Sequence, residues 1–589
     1  MRKFCLLALA IATIGLSLTS CKKDKPAADM ADLVVYGTVY TVDDAAPQAN
    51  AFAVKDGKFV YVGGENGAKA YVGAKTTVVD HRGKGMVTPA FTDGHSHYMM
   101  SYGMTAMGSL QFEFTTTPYE LLEQAAAAYE QAKKQGKPAV YGFGWTYQLF
   151  EFLGMPTLEE LDEVCPDLPL YFADGEGHKG LANSACMKAA GIMDKDGKLV
   201  ITEIKGGEIC VDEFGNPTGL LKEQAGTFCR LRGIDFLTLM GSAEATKTVT
   251  LTRDALHSKG YVSYIEGWAN YYGNLRFYEA AKALDIKNEL NLCLGLAYEV
   301  ESSTVGKARK DEFDKAYATD KDFTTRHINP HYIKMFVDGT VETHTGYVRE
   351  PYVDEEGGVS EPNWTPEEFA SITADVNAHD YTMHVHAMGD EAVHLAVTAF
   401  AGNGKKEKRN TLVHVRNVLA EDYPVMAANN IVATSGVLWH IAGDGVKDVL
   451  RETLPETYVN QFYHIKSYFD NGVVMSAHSD FPALSGSSEL PLHMMEICVT
   501  GILPTSKSEP LWPEELVTRE QALKALTLNG AYQMHNEKER GSIQVGKYAD
   551  FVLIDKDVMN EKTCPAKDIH TGNVTATYFE GQKVFGAGK

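Results

Sequence analysis

Apolar and polar side chains alternate with a period of two along residues 33–41 and 51–63, the signature of strands with one buried face. Asp56-Gly57 sits inside the second run as a hairpin turn, and 77–80 reads as a further strand. The same texture returns at the far end of the chain, at 550–554 and 574–578, with Glu580-Gly581 as the turn before 583–585. Two incomplete β-segments at opposite ends predict one small β-sandwich built from both termini, residues 33–86 plus 536–589.

Between them, helical stretches alternate with short apolar runs. Residues 118–135 are rich in Ala, Leu and Glu. Residues 243–259 follow Ser242 as an N-cap and stop at Gly260. Thr365-Pro366-Glu367-Glu368 is a capping box with proline at the first helical position, and Thr518-Arg519-Glu520-Gln521 is another capping box. The apolar runs read as strands are 88–93, 261–265, 290–294, 332–336, 382–386, 411–414, 431–434 and 473–477. Eight strands interleaved with helices predict an α/β fold, a (β/α)8 barrel of the TIM type over 87–535. Residues 104–242 are too long for a loop and read as a subdomain inserted after barrel strand 1.

A chain of 589 residues has room for this barrel with additions, and 44% hydrophobic with 23% charged residues is ordinary for a folded enzyme. A net charge of −23 without a basic stripe excludes a nucleic-acid partner. The first residues are a targeting signal: Arg2 and Lys3, then an apolar stretch over 4–16 that is too short to span a bilayer. Leu18-Thr19-Ser20-Cys21 resembles a bacterial lipobox. The expectation is a signal peptide over 1–20, a lipidated Cys21, a polar tether over 21–32 and a protein exported and anchored to the cell envelope through that lipid. Nine cysteines leave seven after Cys5 and Cys21, with no Cys-x-x-Cys among them. They form neither a disulfide framework nor a zinc ribbon, and buried free thiols fit better than a bridge within 165–229.

In a barrel of this kind chemistry sits at the C-terminal ends of the strands. His95 and His97 close strand one, with i and i+2 side chains on one face. Lys334 lies on strand four, His386 ends strand five, His414 ends strand six, and His478-Ser479-Asp480 follows strand eight. His384 shares a face with His386 and would be the ligand only in a shifted register; His386 is the preferred one. Imidazole and carboxylate ligands suit a divalent metal, zinc first, and admit manganese, iron or nickel.

These pieces resemble the amidohydrolase superfamily: 89–97, Lys334-Met335-Phe336-Val337-Asp338-Gly339-Thr340, His386-Ala387-Met388-Gly389-Asp390, His414, Ser479-Asp480 and the tail 541–550. Within it they are most similar to the amidohydrolase 3 group, which includes N-substituted formamide deformylases. The resemblance implies that His95 and His97 bind the more buried metal with Asp480, that His386 and His414 bind a second, and that Lys334 bridges them as a carbamate. With one ion, His386 joins the first set and His414 is a neighbour. It further implies a metal-dependent hydrolase acting on a non-peptide C–N bond (amide, formamide or cyclic amide) of a small-molecule substrate, through metal-activated water with Asp480 as the proton acceptor. An ester, lactone or dipeptide-type hydrolase, and a non-catalytic small-molecule-binding lipoprotein, are the competing readings; a homodimer is left open. Trp145 and His178 in the insertion, and Trp439 and His440 after strand seven, are expected at the substrate pocket, and Glu342 and His344 resemble the deformylase-like pattern. Two departures bear on substrate. Val413-His414-Val415-Arg416 replaces Glu-His-Ala-Gln, and Asp174-Gly175-Glu176-Gly177-His178 is two residues longer than Asp-Gly-His.

Overall fold

A computed structural model describes residues 30–175, 177–354, 357–358, 360–440, 446–483, 490–504 and 506–587. Its centre is a sheet of eight parallel strands in chain order: Phe91–Ser96, Tyr261–Glu266, Cys293–Glu299, Ile328–Phe336, Thr382–Ala387, Thr411–His414, Val432–Gly436 and Met475–His478. Each crossover contains at least one helix. Helices outside and side chains inside bury both faces, so the strands read as apolar runs rather than alternating ones. The last strand closes on the first just past their ends. The Asp480 N–H donates to the His95 carbonyl at 3.1 Å, and the His97 N–H donates to the Phe481 carbonyl at 2.7 Å. Closure therefore sets the predicted site residues of strands one and eight side by side.

Two strands begin three residues later than the apolar runs suggest. Met86–Pro89 pairs antiparallel with Phe551–Ile554 outside the barrel, and the barrel strand begins at Phe91, beyond the proline that lacks an N–H. The third strand is Cys293–Glu299 rather than 290–294. Asn288 and Asn291 adopt positive φ of 56° and 50°, which turns the chain before the strand starts, while Leu290 and Leu292 are buried on the approach.

The segment between the first two barrel strands carries a six-stranded sheet, ordered Gly207–Val211, Pro217–Glu223, Lys179–Ala182, Leu170–Asp174, Val140–Trp145 and Leu110–Gln111. It has a core of its own that includes Phe112, Leu121, Trp145, Phe150 and Phe172. Helix Pro118–Gln135 starts with a Thr117–Glu120 capping box and ends on Gly136 at φ 65°. Ser242 is the first residue of helix Ser242–Lys259 rather than its N-cap; Gly241 takes that position without a side-chain bond.

Both termini join one continuous eight-stranded sheet curled on itself around Phe52, Phe59 and Phe551, whose rings meet edge-on at 5.1 and 4.9 Å. Strand Leu33–Tyr40 pairs with Thr77–Asp80 through residues 33–36 and with Met86–Pro89 through Thr38 and Val39. Both predicted turns have two successive positive φ values, 50° and 76° at Asp56-Gly57 and 48° and 76° at Glu580-Gly581, as tight hairpins require. A buried charge network fastens this sheet to the barrel. Arg540 bonds Asp550 and Glu580, while His327 bridges Asp285 at 2.6 Å and Glu580 at 3.1 Å.

Candidate metal centre

At the mouth of the barrel six histidines, a lysine and an aspartate crowd into one buried space. His95 lies at the end of its strand, fully buried; its Nε2 is 3.4 Å from Asp480 Oδ1, and its Nδ1 is 2.7 Å from His384 Nε2. His97 stands one residue past the strand, at the N-cap of helix Tyr98–Met107, with Nε2 also 3.4 Å from Asp480 Oδ1. His414 Nδ1 is 4.0 Å from Asp480 Oδ2. Among the described residues, ligand atoms of His95, His414 and Asp480 all lie within 4.8 Å of one another. His414 thus stands with His95 and Asp480 as well as beside His386; its ring is 4.5 Å from that of His386 and 5.4 Å from that of His95. His386 turns Nε2 to the Gly339 carbonyl at 3.0 Å. Lys334 is fully buried beside them, its Nζ 4.3 Å from the centre of the Phe336 ring.

The backbone is bent to make this approach. His414 (φ 73°) and Asp480 (φ 50°) both lie in the left-handed region that non-glycine residues rarely occupy, at a cost of roughly 1–3 kcal/mol each. Glycine is required where Gly267 passes the His95 ring: a Cβ there would come within 2.5 Å of Nδ1 and closer still to Cε1.

Burial decides the protonation states. It pushes the pKa values of His95, His384, His386 and His414 well below the ordinary histidine value, and the Lys334 charge pushes the same way. His478 falls to about 4 for the same first reason. Burial would raise Asp480, but the His97 imidazole 3.4 Å away, with His478 and Lys334 behind, holds it below the usual carboxylate range. Lys334 is brought down to about 8 by burial, against the pull of Asp480 and Glu299. The site therefore holds neutral imidazoles, an ionised carboxylate and an amine that deprotonates near physiological pH. His95 Nε2, His97 Nδ1, His414 Nδ1, both His478 nitrogens, Asp480 Oδ1 and Lys334 Nζ are buried without hydrogen-bond partners. Unpaired buried polar atoms are costly, and several lone pairs converging on one carboxylate are satisfied together by one kind of guest, a divalent cation. The donor set fits that guest.

Other side chains of the site were not legible as such in the sequence. Glu266, at the end of the second strand, is fully buried; its Oε2 accepts from the Met99 N–H at 2.8 Å, and its Oε1 is 4.0 Å from His97 Nδ1. Glu299 ends the third strand in register with Lys334. Burial pushes both carboxyls well above their ordinary pKa. Asp93 accepts from the Ser479 hydroxyl at 2.5 Å and from the Ser479 and His95 N–H groups, and burial lifts its pKa to about 7. Asp338 accepts from the N–H groups of Tyr347, Met388 and Gly389. A glutamate closing a strand was the available signal for Glu266.

The expected pocket residues divide. Trp439 stands at the site, 5.4 Å from the His414 ring, and the His178 ring is 6.0 Å from that of His386. Trp145 does not line the site: it is fully buried in the core of the inserted sheet, its indole N–H donating to the Phe172 carbonyl at 3.0 Å. The side chain of His440, residue Glu176, the signal peptide with Cys21 and the tether up to residue 29 lie outside the described residues. Glu342 is paired with Arg416, which stacks 4.3 Å over Phe462, and His344 pairs with Asp354 at 2.7 Å. The arginine after His414 thus serves an ion pair beside the site.

A (β/α)8 barrel with a buried histidine–carboxylate cluster at its C-terminal rim is the arrangement in which a metal-assisted hydrolase is expected. The amidohydrolase family model matches residues 77–585, and the chain belongs to that family. It is 24% identical over 571 residues to the N-substituted formamide deformylase of Arthrobacter pascens, covering 93% of this chain and 97% of that protein. It is 25% identical over 577 residues to Protein LONG AFTER FAR-RED 3 of Arabidopsis thaliana, covering 95% and 92%. Among solved structures it is similar to an uncharacterised metal-dependent hydrolase from Pyrococcus horikoshii, with a TM-score of 0.68 at 19% identity, over 90% of this chain and 98% of that one.

Proposed function

We propose that the protein hydrolyses a non-peptide C–N bond, an amide, formamide or cyclic amide, of a small molecule. The observation that carries the reading is the set of unpartnered, neutral or anionic donors facing Asp480. The residues that would hold divalent metal are His95, His97 and Asp480, with His386, His414 and, as its carbamate, Lys334 completing the set. Zinc suits this set of ligands. A bound divalent cation supplies Lewis acidity and brings the pKa of water towards neutrality. Asp480, ionised and with Oδ1 unpaired, accepts a proton from the attacking water and delivers it to the departing nitrogen. Neutral His95 and His414 leave it the anion beside them. Trp439 borders the space, its ring 5.4 Å from that of His414. A leaving nitrogen needs that returned proton more than an ester oxygen does, and the relative named a formamide deformylase favours the nitrogen.

The same proposal places the enzyme outside the cytoplasm, anchored by lipid on Cys21, on the strength of the basic start, apolar stretch and lipobox-like Leu18-Thr19-Ser20-Cys21. The test is elemental analysis of metal-supplemented protein lacking residues 1–21, with hydrolysis of N-formyl and N-acetyl arylamines read by released arylamine. One or two equivalents of metal and metal-dependent release support the reading. Metal-free protein after reconstitution, or release from esters alone, overturns it. For the anchor, the Cys21→Ala full chain is expected in the soluble fraction; membrane retention refutes lipidation.

A further inference from the structure

The inserted sheet delivers a positive charge to the barrel mouth. Strand Pro217–Glu223 turns at Glu223, φ 49°, straight into helix Gln224–Gly233, and that helix carries Arg230. Arg230 is only 2% exposed. Its Nη1 donates to the Tyr271 carbonyl, and its guanidinium lies 3.6 Å over the Tyr271 ring and 5.5 Å from the centre of the Trp268 ring. Both aromatic residues belong to the loop that follows the second barrel strand. Arg230 Nη2 and Trp268 Nε1 are buried donors without acceptors. Among the described residues, no carboxylate forms an ion pair with this guanidinium.

Docking of the helix alone does not require such an arrangement. An arginine stays protonated at physiological pH, and a desolvated cation without a counter-charge is costly. The Tyr271 contacts fasten the helix to the barrel and account for one nitrogen and one face of the guanidinium. They leave Nη2 and the net charge uncompensated, and an apolar side chain would fasten the helix without that penalty.

The free donors stand beside the metal ligands. The Trp268 ring is 5.6 Å from that of Phe336, which is 5.0 Å from the His386 ring and 4.3 Å from Lys334 Nζ. The Asn270 side chain fixes the loop, accepting from the Glu299 N–H at 2.7 Å and donating to the Glu299 carbonyl at 3.1 Å. Glu299 lies within electrostatic reach of both Arg230 and Lys334. It is not the missing counter-ion, since its Oε1 and Arg230 Nη2 are both without hydrogen-bond partners.

We propose that Arg230, with Trp268 beside it, is the receptor for a carboxylate carried by the substrate, at the end of the molecule away from the bond that is cut. This rests on the hydrolase reading above and names its substrate class: an amide of a small molecule that also bears a carboxylate, with an aryl or alkyl spacer lying along Phe336 and Trp268. Guanidinium donors match a carboxylate in plane and charge, and Trp268 Nε1 supplies a further donor. The insertion then selects the substrate, while the barrel supplies the chemistry.

The experiment uses metal-loaded protein and compares formanilide with meta- and para-formamidobenzoate, which differ from it by one carboxylate. The wild type is expected to favour a formamidobenzoate by about 10- to 10²-fold in kcat/KM, the scale of a hydrogen bond to a charged group, with the difference residing in KM. In Arg230→Gln that ratio should fall to about one, whatever the rate on formanilide. Arg230→Lys keeps the charge and should keep part of the ratio; it serves as the variant if Arg230→Gln fails to fold. A wild type without the preference overturns this inference and leaves the hydrolase reading standing. So does an Arg230→Gln enzyme that loses the same factor on both substrates, as a mere helix fastener would. A second readout needs no turnover: benzoate should raise the melting temperature of the wild type more than neutral benzamide does, and should lose that advantage in Arg230→Gln. An enzyme that cleaves none of these amides removes the hydrolase reading. Equal shifts from benzoate and benzamide then overturn the carboxylate receptor as well.

Discussion

Gly267→Ala tests whether the His95 ring, as the fold positions it, is what the site depends on. Gly267 directly follows the strand Tyr261–Glu266, and its N–H donates to the Ser96 carbonyl at 2.8 Å, so the backbone has little freedom to retreat. The new methyl would stand 2.5 Å from His95 Nδ1, where ordinary contact begins at 3.4 Å. The ring must yield by about 1 Å, and a misplacement of that size costs on the order of 10²-fold in rate, or about 2.7 kcal/mol. It cannot yield freely, because its Nδ1 is bonded to His384 and its Nε2 faces Asp480. The expected result is a roughly hundredfold lower kcat/KM with weaker metal retention during dialysis against a chelator. Gly402→Ala is the control: it lies inside helix Asp390–Asn403, nothing stands within 4 Å of its added Cβ, and the change should stabilise by about 0.5–1 kcal/mol without touching activity. Unchanged metal retention and activity in Gly267→Ala would refute the claim that His95 is held in a single working position.

Three further outcomes follow from the same geometry. Asp480→Asn should cut kcat by about 10²–10⁴-fold with the fold intact by circular dichroism, the range for losing a proton-transfer group; full activity would remove the mechanism. Metal removal by a chelator should lower the melting temperature and re-addition should restore it, since a ligand bound only to the folded state stabilises it; an unmoved transition would speak against a metal in this site. The His327 network makes stability depend on pH. His327 is raised above its ordinary value by hydrogen bonds to Asp285 and Glu580 that outweigh burial, so its contribution is full below about pH 6.5 and fades as pH rises through the folded value. Glu580 falls from 4.5 to about 2 because His327 and Arg540 overcome the upward push of burial, so about 3 kcal/mol is present above pH 4.5 and lost towards pH 2. Urea titrations of wild type against His327→Gln should show their largest stability difference between about pH 4.5 and 6.5, shrinking on the alkaline side; a difference that grows from pH 6 to 9 would contradict this assignment.

What could be read from the chain and what could not divide along a physical line. Asp56-Gly57, Glu580-Gly581 and the capping boxes at Thr365 and Thr518 are local devices, in which a few adjacent residues fix the backbone, and each appears in the structure as the sequence suggests. His95 and His97 were visible for a related reason: the spacing within one short segment carries the information. Glu266 and Glu299 were not visible because a glutamate after an apolar run looks like the solvated start of a loop. Only closure of the barrel buries them, and for Glu299 the strand extends five residues beyond the predicted end at 294. His384 lay in plain view as a neighbour of His386, but its contact is with His95, 289 residues away. Trp145 misled in the opposite direction. An aromatic residue beside glycines reads as a pocket wall, yet the insertion forms a sheet large enough to need a core, and the indole fills it. Glu223, in the insertion, is silent in the sequence altogether. Nothing local makes a glutamate at that point adopt φ 49°; its partners His178 and Thr345 come from two other parts of the chain.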